Sequence, residues 1–546
     1  MSFYRMSCRP LHRLYSNGWC ALCCILCVII FNLVERPNTV EERKQLDVPQ
    51  LNQAVSKLDD RQLHQAGLHA GFPQVQNVKK NESNDIRNVD KSQLQQSTKQ
   101  VDIKPVLWLM ETPQNELFEY LIQVFTNLGY NVLHQEAEPK SWNILWSRIY
   151  PFPLKTKLLH HHRINHIPHS HNIFLKSRLV TSGLSHIPKA FNIPDQNKAF
   201  LEYSKLHPDI KWLQKKWSHK GISIKKVSDL NLTDSETFIQ QYVDDALLVD
   251  GRRFSFAIYT VVTSINPLRI YIYNDWHVRF CKEKYHPFDP NIKEKFIADG
   301  NYIDPWHIEP IKKYLAKDIS RKEALLLYFQ EQGLDVSNAV EQMYGIINEA
   351  FLKNEAGVIE ALKQYTYKKN MFELCRFDFL WGADLNVYLI EANMSPMLKN
   401  GKHLEMAPFF RRLIYDAASL TGLTLPSYHR HHAINNTDME AWGPDVHVYA
   451  EVCVSQQCKE SCEALDCHFC KDCLASDEEQ HLKTVYNEHL NRRGFRRIFP
   501  RTFQSPRDAA AWKYKEDKEF QMLNSANKLM TFWYRGKCMK DATWCL

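Results

Sequence analysis

The chain has 546 residues, 44% of them hydrophobic and 12% aromatic, enough for several domains with sizeable cores. Its formal net charge of +7 is mild and no block of Lys and Arg stands out, so the pattern argues against nucleic-acid binding. Fifteen cysteines are unevenly spread, with five between positions 8 and 27, then Cys281 and Cys375, then eight from Cys453 onward.

Gly18–Val34 is an unbroken apolar run of seventeen residues preceded by Arg5, Arg9 and Arg13. That length is at the short limit for crossing ~30 Å of hydrocarbon. No small-residue cleavage site follows. The run therefore predicts an uncleaved signal anchor, with residues 1–17 as a short basic cytosolic segment and the remainder translocated, a single-pass type II arrangement. A cleaved signal, or a stretch held at a membrane through palmitoylated cysteines, is the competing reading. Residues 35–103 are rich in Gln, Asn, Lys and Asp and poor in aromatics, which predicts a flexible stem.

Order is expected from Lys104. VLWLM reads as a strand, and Glu116–Leu128 as a helix with Leu117, Leu121, Val124 and Phe125 on one face, ended by Gly129. Asn143–Trp146 reads as the next strand. His160–His171, HHHRINHIPHSH, invites a metal reading, but its spacing matches no standard zinc site and no cysteine is near. Lys211–Ile224 predicts strand, loop, strand, with Gly221 in the loop. Ser337–Leu362 carries apolar residues at helical spacing and predicts a packed helix, as does Met406–Leu420.

Phe372–Pro396 predicts a β-hairpin around a Gly-Ala-Asp-Leu-Asn turn. Glu391 and Asn393 are two apart and share a strand face. With Trp381 opposite Tyr388, Asp378 falls opposite Glu391 on that face. Two carboxylates and an amide then form a seat for Mg²⁺ carrying a nucleotide. The alternative is an edge hairpin with polar residues facing water. The flanking Phe377, Phe379, Leu389 and Ile390 argue against it, because buried carboxylates are costly unless charge meets them.

From about Pro426 the sequence changes character. CVSQQCKESCEALDCHFCKDC, with Cys538 and Cys545 beyond it, supplies an even number of cysteines and predicts a disulfide framework, zinc being the competing reading. Asn81, Asn231 and Asn435 begin sequons, acceptors for glycosylation if the region is luminal. Asn393-Met-Ser is formally a sequon too, but is expected inside the site and is followed by Pro396.

These segments resemble the tubulin–tyrosine ligase-like family from about Lys104 to Leu425. The hairpin is similar to the family's F-E-L-x-G-x-D … L-I-E-x-N-x-S-P, and WNILWS to its W-N-x-L-W-S. INHIPHSHNIFLKSRL resembles N-x-x-P-x-S … K, KWLQKKWSHKGISI resembles W-I-x-K-P … G-x-G-I, and Gln240–Tyr285 follows Q-x-Y-I … K-F-D-x-R … P-L-R-x-Y … R-F. The resemblance implies an α/β ATP-grasp ligase fold, with an N-terminal β-α-β domain at 104–180 and a ligase domain at 181–425, before a Cys-rich region at 426–546. It implies ATP- and Mg²⁺-dependent ligation of free glutamate onto glutamate-rich tubulin tails, through an acyl phosphate. Lys176, Lys215 and Arg253 would surround the phosphates. Gln240, Gln241, Tyr242 and Val243 would form the hinge strand that reads adenine. Asp378, Glu391 and Asn393 would hold Mg²⁺, Glu391 thereby serving catalysis, and Arg269 would clamp the amino acid's carboxylate.

Departures from the pattern matter. Ser255 and Ala257 stand where the family keeps Asp and Arg, and losing one transition-state donor of the latter kind costs ~10²–10³ in rate. Lys216 replaces a proline, Arg376 replaces the glycine beside Asp378, and the H-x-T-N-x-x-x-N element is missing near Ile303–Glu309. Two other readings follow: a membrane-anchored pseudoenzyme that keeps the nucleotide but does not ligate, and a luminal or cell-surface binding protein acting through its Cys-rich tail. Microtubule association is expected only if the ligase region is cytosolic.

Overall fold

The strand Arg252–Ile265 is the spine of the molecule, and its two-residue period explains the layers on either side. Phe254, Phe256, Ile258 and Val262 pack into an apolar cluster with the 26-residue helix Ser337–Leu362. Tyr259 and Val261, on the other face, pack with the helices Asn115–Asn127 and Ala407–Leu420. In this computed structural model the described residues are 104–111, 115–154, 157–217, 221–298, 300–317, 319–399, 403–424 and 441–546. The expected anchor at 18–34 and stem at 35–103 lie outside them. Among the described residues no helix is long and apolar enough to cross a membrane.

Seven strands build the central sheet. Its path runs Val387–Asn393, Glu373–Trp381, Arg252–Ile265, Leu268–Tyr273 and Phe495–Phe499, with His277–Phe280 and Leu248–Val249 also pairing on the long strand. All these pairings are antiparallel. A second antiparallel sheet has the order Ala190–Asn192, Thr237–Gln241, Trp212–Lys216, Ile222–Lys225. The N-terminal strands Asn131–His134, Val106–Leu109, Ile144–Trp146 and Arg163–Ile164 are parallel, as a β-α-β opening requires.

The histidine-rich segment locks the N-terminal layer to the central sheet. His166 Nδ1 lies 2.8 Å from Glu373 Oε1, with both side chains fully buried. Glu373 Oε2 accepts from Ser170 Oγ at 2.7 Å and from the Ile167 amide at 3.1 Å, so the buried carboxylate is well satisfied. His162 stacks on Trp142 at 3.7 Å, and burial pushes its pKa down to about 4.

The C-terminal region is not separate from the sheet, as a boundary at 425 would have it. Phe495–Phe499 pairs with Leu268–Tyr273 and forms the sheet's edge. Gly494 leads into it where a Cβ would come within 2.7 Å of Asp416 Oδ2 and 2.8 Å of Tyr273, so the close approach needs glycine. The eight tail cysteines pair as 453–470, 458–467, 462–473 and 538–545, with Cα–Cα distances of 4.5–5.5 Å. Disulfides thus replace the zinc alternative. Cys281 and Cys375, in the ligase-like part, are buried and belong to none of them.

Candidate functional site

A cavity of about 320 Å³ is lined by residues of the four-stranded sheet and of the central sheet. Leu213, Ile222, Phe254, Phe296, Leu380 and Ile390 give it apolar walls, while Lys176, Lys215, Gln240, Arg279, Asp378 and Glu391 supply the polar end. Apolar walls with a few convergent charges are the usual make-up of a small-ligand pocket. Gln241, Tyr242, Val243 and Arg253 line it as well.

Lys215 is the penultimate residue of the strand Trp212–Lys216 and donates to Gln240 Oε1 on the neighbouring strand at 2.6 Å. Burial lowers its pKa to about 8, with attraction from Glu391 and repulsion from Lys176 as smaller effects. Lys176 opens the short helix Lys176–Thr181 and reaches Glu391 Oε1 at 3.1 Å. Beyond this pair a second groove, of about 540 Å³, opens past Arg148, Tyr150, His171, Trp217 and Asn393. Lys176 and Glu391 border both spaces.

The hairpin forms over Glu373–Trp381 and Val387–Asn393, but its register differs from the expected one near the turn. Trp381 pairs with Val387, not Tyr388. A bulge between Asp378 and Phe379 then absorbs one residue, and Asp378 comes opposite Glu391 after all. Asn393 sits opposite Arg376, and its Nδ2 is buried without a hydrogen-bond partner.

Arg376 changes what this face can do. Its Nε and Nη2 each donate to an Asp378 oxygen at 2.8 Å, a bidentate fork, and Arg279 Nη2 stands 3.3 Å from Oδ2. Burial disfavours the Arg376 charge, but Asp378, Tyr259 and Glu391 together outweigh it and raise its pKa. Asp378 and Glu391 face each other and line the cavity, while Asn393 lines the second groove. A divalent ion nevertheless does not fit at Asp378 as it stands, because guanidinium groups take both of its oxygens. Arg279 was present in the matched sequence stretch without a role; only the cross-strand pairing Ser255 with Arg279 shows that it faces the cavity.

Arg253 lines the cavity with Lys176 and Lys215, and its guanidinium is engaged by the hinge segment. Its Nη1 donates to Tyr242 Oη at 2.8 Å and the Val243 carbonyl at 2.7 Å, and the guanidinium lies over the Tyr242 and Tyr285 rings at 4.7 and 5.2 Å. The aromatic pair, invisible to local pattern, turns it into a brace for the hinge segment. Arg269 lies outside the cavity. It is buried in the strand Leu268–Tyr273 and makes a bidentate pair with Glu488, Nε to Oε2 and Nη2 to Oε1, both at 2.8 Å. Ala257, where the family pattern has arginine, is buried between His277 and Asp378 on the adjacent strands.

The fold and this cavity define a member of the tubulin–tyrosine ligase family. The chain belongs to that family, whose model matches residues 153–427. It is 32% identical over 442 residues to the Caenorhabditis elegans protein named "Probable tubulin polyglutamylase ttll-15", covering 78% of this chain and 83% of that one. It is 23% identical over 454 residues to the mouse tubulin monoglutamylase TTLL4, covering 72% of this chain and 37% of the relative. Against the human tubulin polyglutamylase TTLL5 it is 28% identical over 302 residues, covering 50% of this chain and 23% of the relative.

Proposed function

We propose that this chain is an ATP-dependent ligase that adds glutamate to glutamate side chains of a protein, on an ATP-grasp core formed by residues 181–425 and the strand Phe495–Phe499. The observation that carries the reading is the convergence of Lys176, Lys215, Gln240 and Glu391 at the polar end of one apolar-walled cavity. A nucleotide suits that cavity: the walls take the base, and the two lysines meet phosphate charge. When bound, ATP supplies the phosphoryl group that activates a carboxylate toward an amine. Gln240 orients Lys215, Arg253 holds Tyr242 and Val243 in place, and the apolar walls exclude water. The groove past Arg148 and His171 suits an acidic acceptor segment, as the tubulin tails implied by the relatives' names would be. No step is assigned to Mg²⁺, since Asp378 is occupied.

A second reading has its own observation. Ala257 leaves its place without a guanidinium, and the Arg376–Asp378 fork fills the metal face, both of which suit a member that binds nucleotide without ligating. Calorimetry with ATP on the folded chain tests the shared part. Binding is expected, and weakened in Lys176→Ala; no binding at millimolar ATP would remove both readings. Radiolabelled glutamate incorporation into an acidic acceptor then separates them. A pH dependence is also expected. Lys215 carries its proton at pH 7 and loses it through about 8, so ATP affinity should fall by about tenfold between pH 7 and 9. Lys215→Arg should abolish that slope.

A further inference from the structure

The tail cysteines and one surface turn point to a cellular compartment. All eight cysteines from Cys453 onward are paired, in four bridges that close short stretches of chain. Cys458, Cys467 and Cys470 form a small buried cluster of their own, so the segment's interior is built from its bridges. Among the described residues the two cysteines outside the bridges, Cys281 and Cys375, are both buried. Four bridges packed into one segment are what an oxidising compartment produces, since cytosolic thiols are kept reduced.

Asn231 supplies an independent observation. It begins Asn-Leu-Thr, and both Asn231 and Thr233 are exposed. Asn231 Oδ1 accepts from the Thr233 amide at 3.1 Å and from its hydroxyl at 2.9 Å, while the Asn231 backbone is tied to Gln214. The sequon therefore sits on an exposed turn that has room for a bulky polar group. Asn393, the other sequon among the described residues, has its side-chain nitrogen buried in the site.

We propose that the folded region matures in the lumen of the secretory pathway and carries an N-linked glycan on Asn231. The basic residues before the apolar run at 18–34 agree with that orientation. The acceptor reached through the groove is then an acidic segment of a secreted or membrane protein, not cytosolic tubulin. That consequence rests on the ligase reading, whereas the glycan and the bridges do not.

The test uses the full chain expressed in animal cells, with Asn81→Gln and Asn435→Gln removing the two sequons outside the described residues. Peptide N-glycosidase should shift the band once, and the shift should vanish in both Asn231→Gln and Thr233→Ala. Maleimide labelling of denatured, unreduced protein should leave the eight cysteines from Cys453 to Cys545 unlabelled. An unshifted band, or labelling at those eight positions, would overturn the proposal. A chain without ATP binding or glutamate transfer would still show the shift and the protection, so failure of the ligase reading is a separate result.

Discussion

Glu488→Ala is expected to destabilise the protein by about 3–5 kcal/mol, the usual cost of leaving one partner of a buried ion pair alone. Arg269 is 3% exposed and Glu488 9%, and the carboxylate also accepts from Thr263 Oγ1 at 3.0 Å and Tyr271 Oη at 3.3 Å. Burial by itself would lower the Arg269 pKa. Glu488, helped by Tyr271 and Tyr534, offsets it and the pKa is raised, so removing the carboxylate leaves the buried guanidinium with burial uncompensated. The measurement is the urea midpoint at constant m-value. The double variant Arg269→Met/Glu488→Leu should recover most of the loss, because apolar pairs of similar volume often replace buried ion pairs at little cost. An unchanged midpoint in Glu488→Ala would instead mean that Arg269 is available for a ligand, the role its sequence context suggests.

Arg376→Gly is the second large effect, and it acts on binding. In the unaltered chain, exchanging EDTA for Mg²⁺ should change ATP affinity by less than about threefold, since both Asp378 oxygens already face guanidinium donors. Removing Arg376 frees Asp378 beside Glu391 and Asn393, leaving only the longer Arg279 contact. Three hard-oxygen groups then suit a hexacoordinate ion that keeps some of its waters. Mg²⁺ should tighten ATP binding of the variant by about tenfold or more, roughly 1.4 kcal/mol. Equal Mg²⁺ dependence in both proteins would show that the fork opens readily and does not govern the site.

Short-range pattern revealed most of the elements. The helix Ser337–Leu362 follows its apolar spacing, and the strand–loop–strand around Lys215 follows alternation bounded by Gly221. The hairpin was legible in part. Its partnership of Asp378 and Glu391 was expected from a Trp381–Tyr388 register that the turn does not have, and only a bulge, which has no sequence signal here, restores it. Arg269 was misread because its partner lies 219 residues away in a tail with no family pattern. The tyrosine partners of Arg253 were missed because a cation over two rings and a cation over a phosphate look alike in one dimension. Both errors concern what a charge faces, which depends on tertiary packing and not on neighbours in the chain.

The edge strand Phe495–Phe499 has a consequence for how the molecule is made. A chain is synthesised from its N-terminus, so the strand Leu268–Tyr273 is finished more than two hundred residues before the partner that covers it. Until then it exposes unpaired backbone groups, and Arg269 waits without its carboxylate. The final sheet is therefore completed only after residue 499 has been made. A ribosome stalled before residue 495 leaves a product in which Leu268–Tyr273 has no covering strand, an opening on which folding helpers can act.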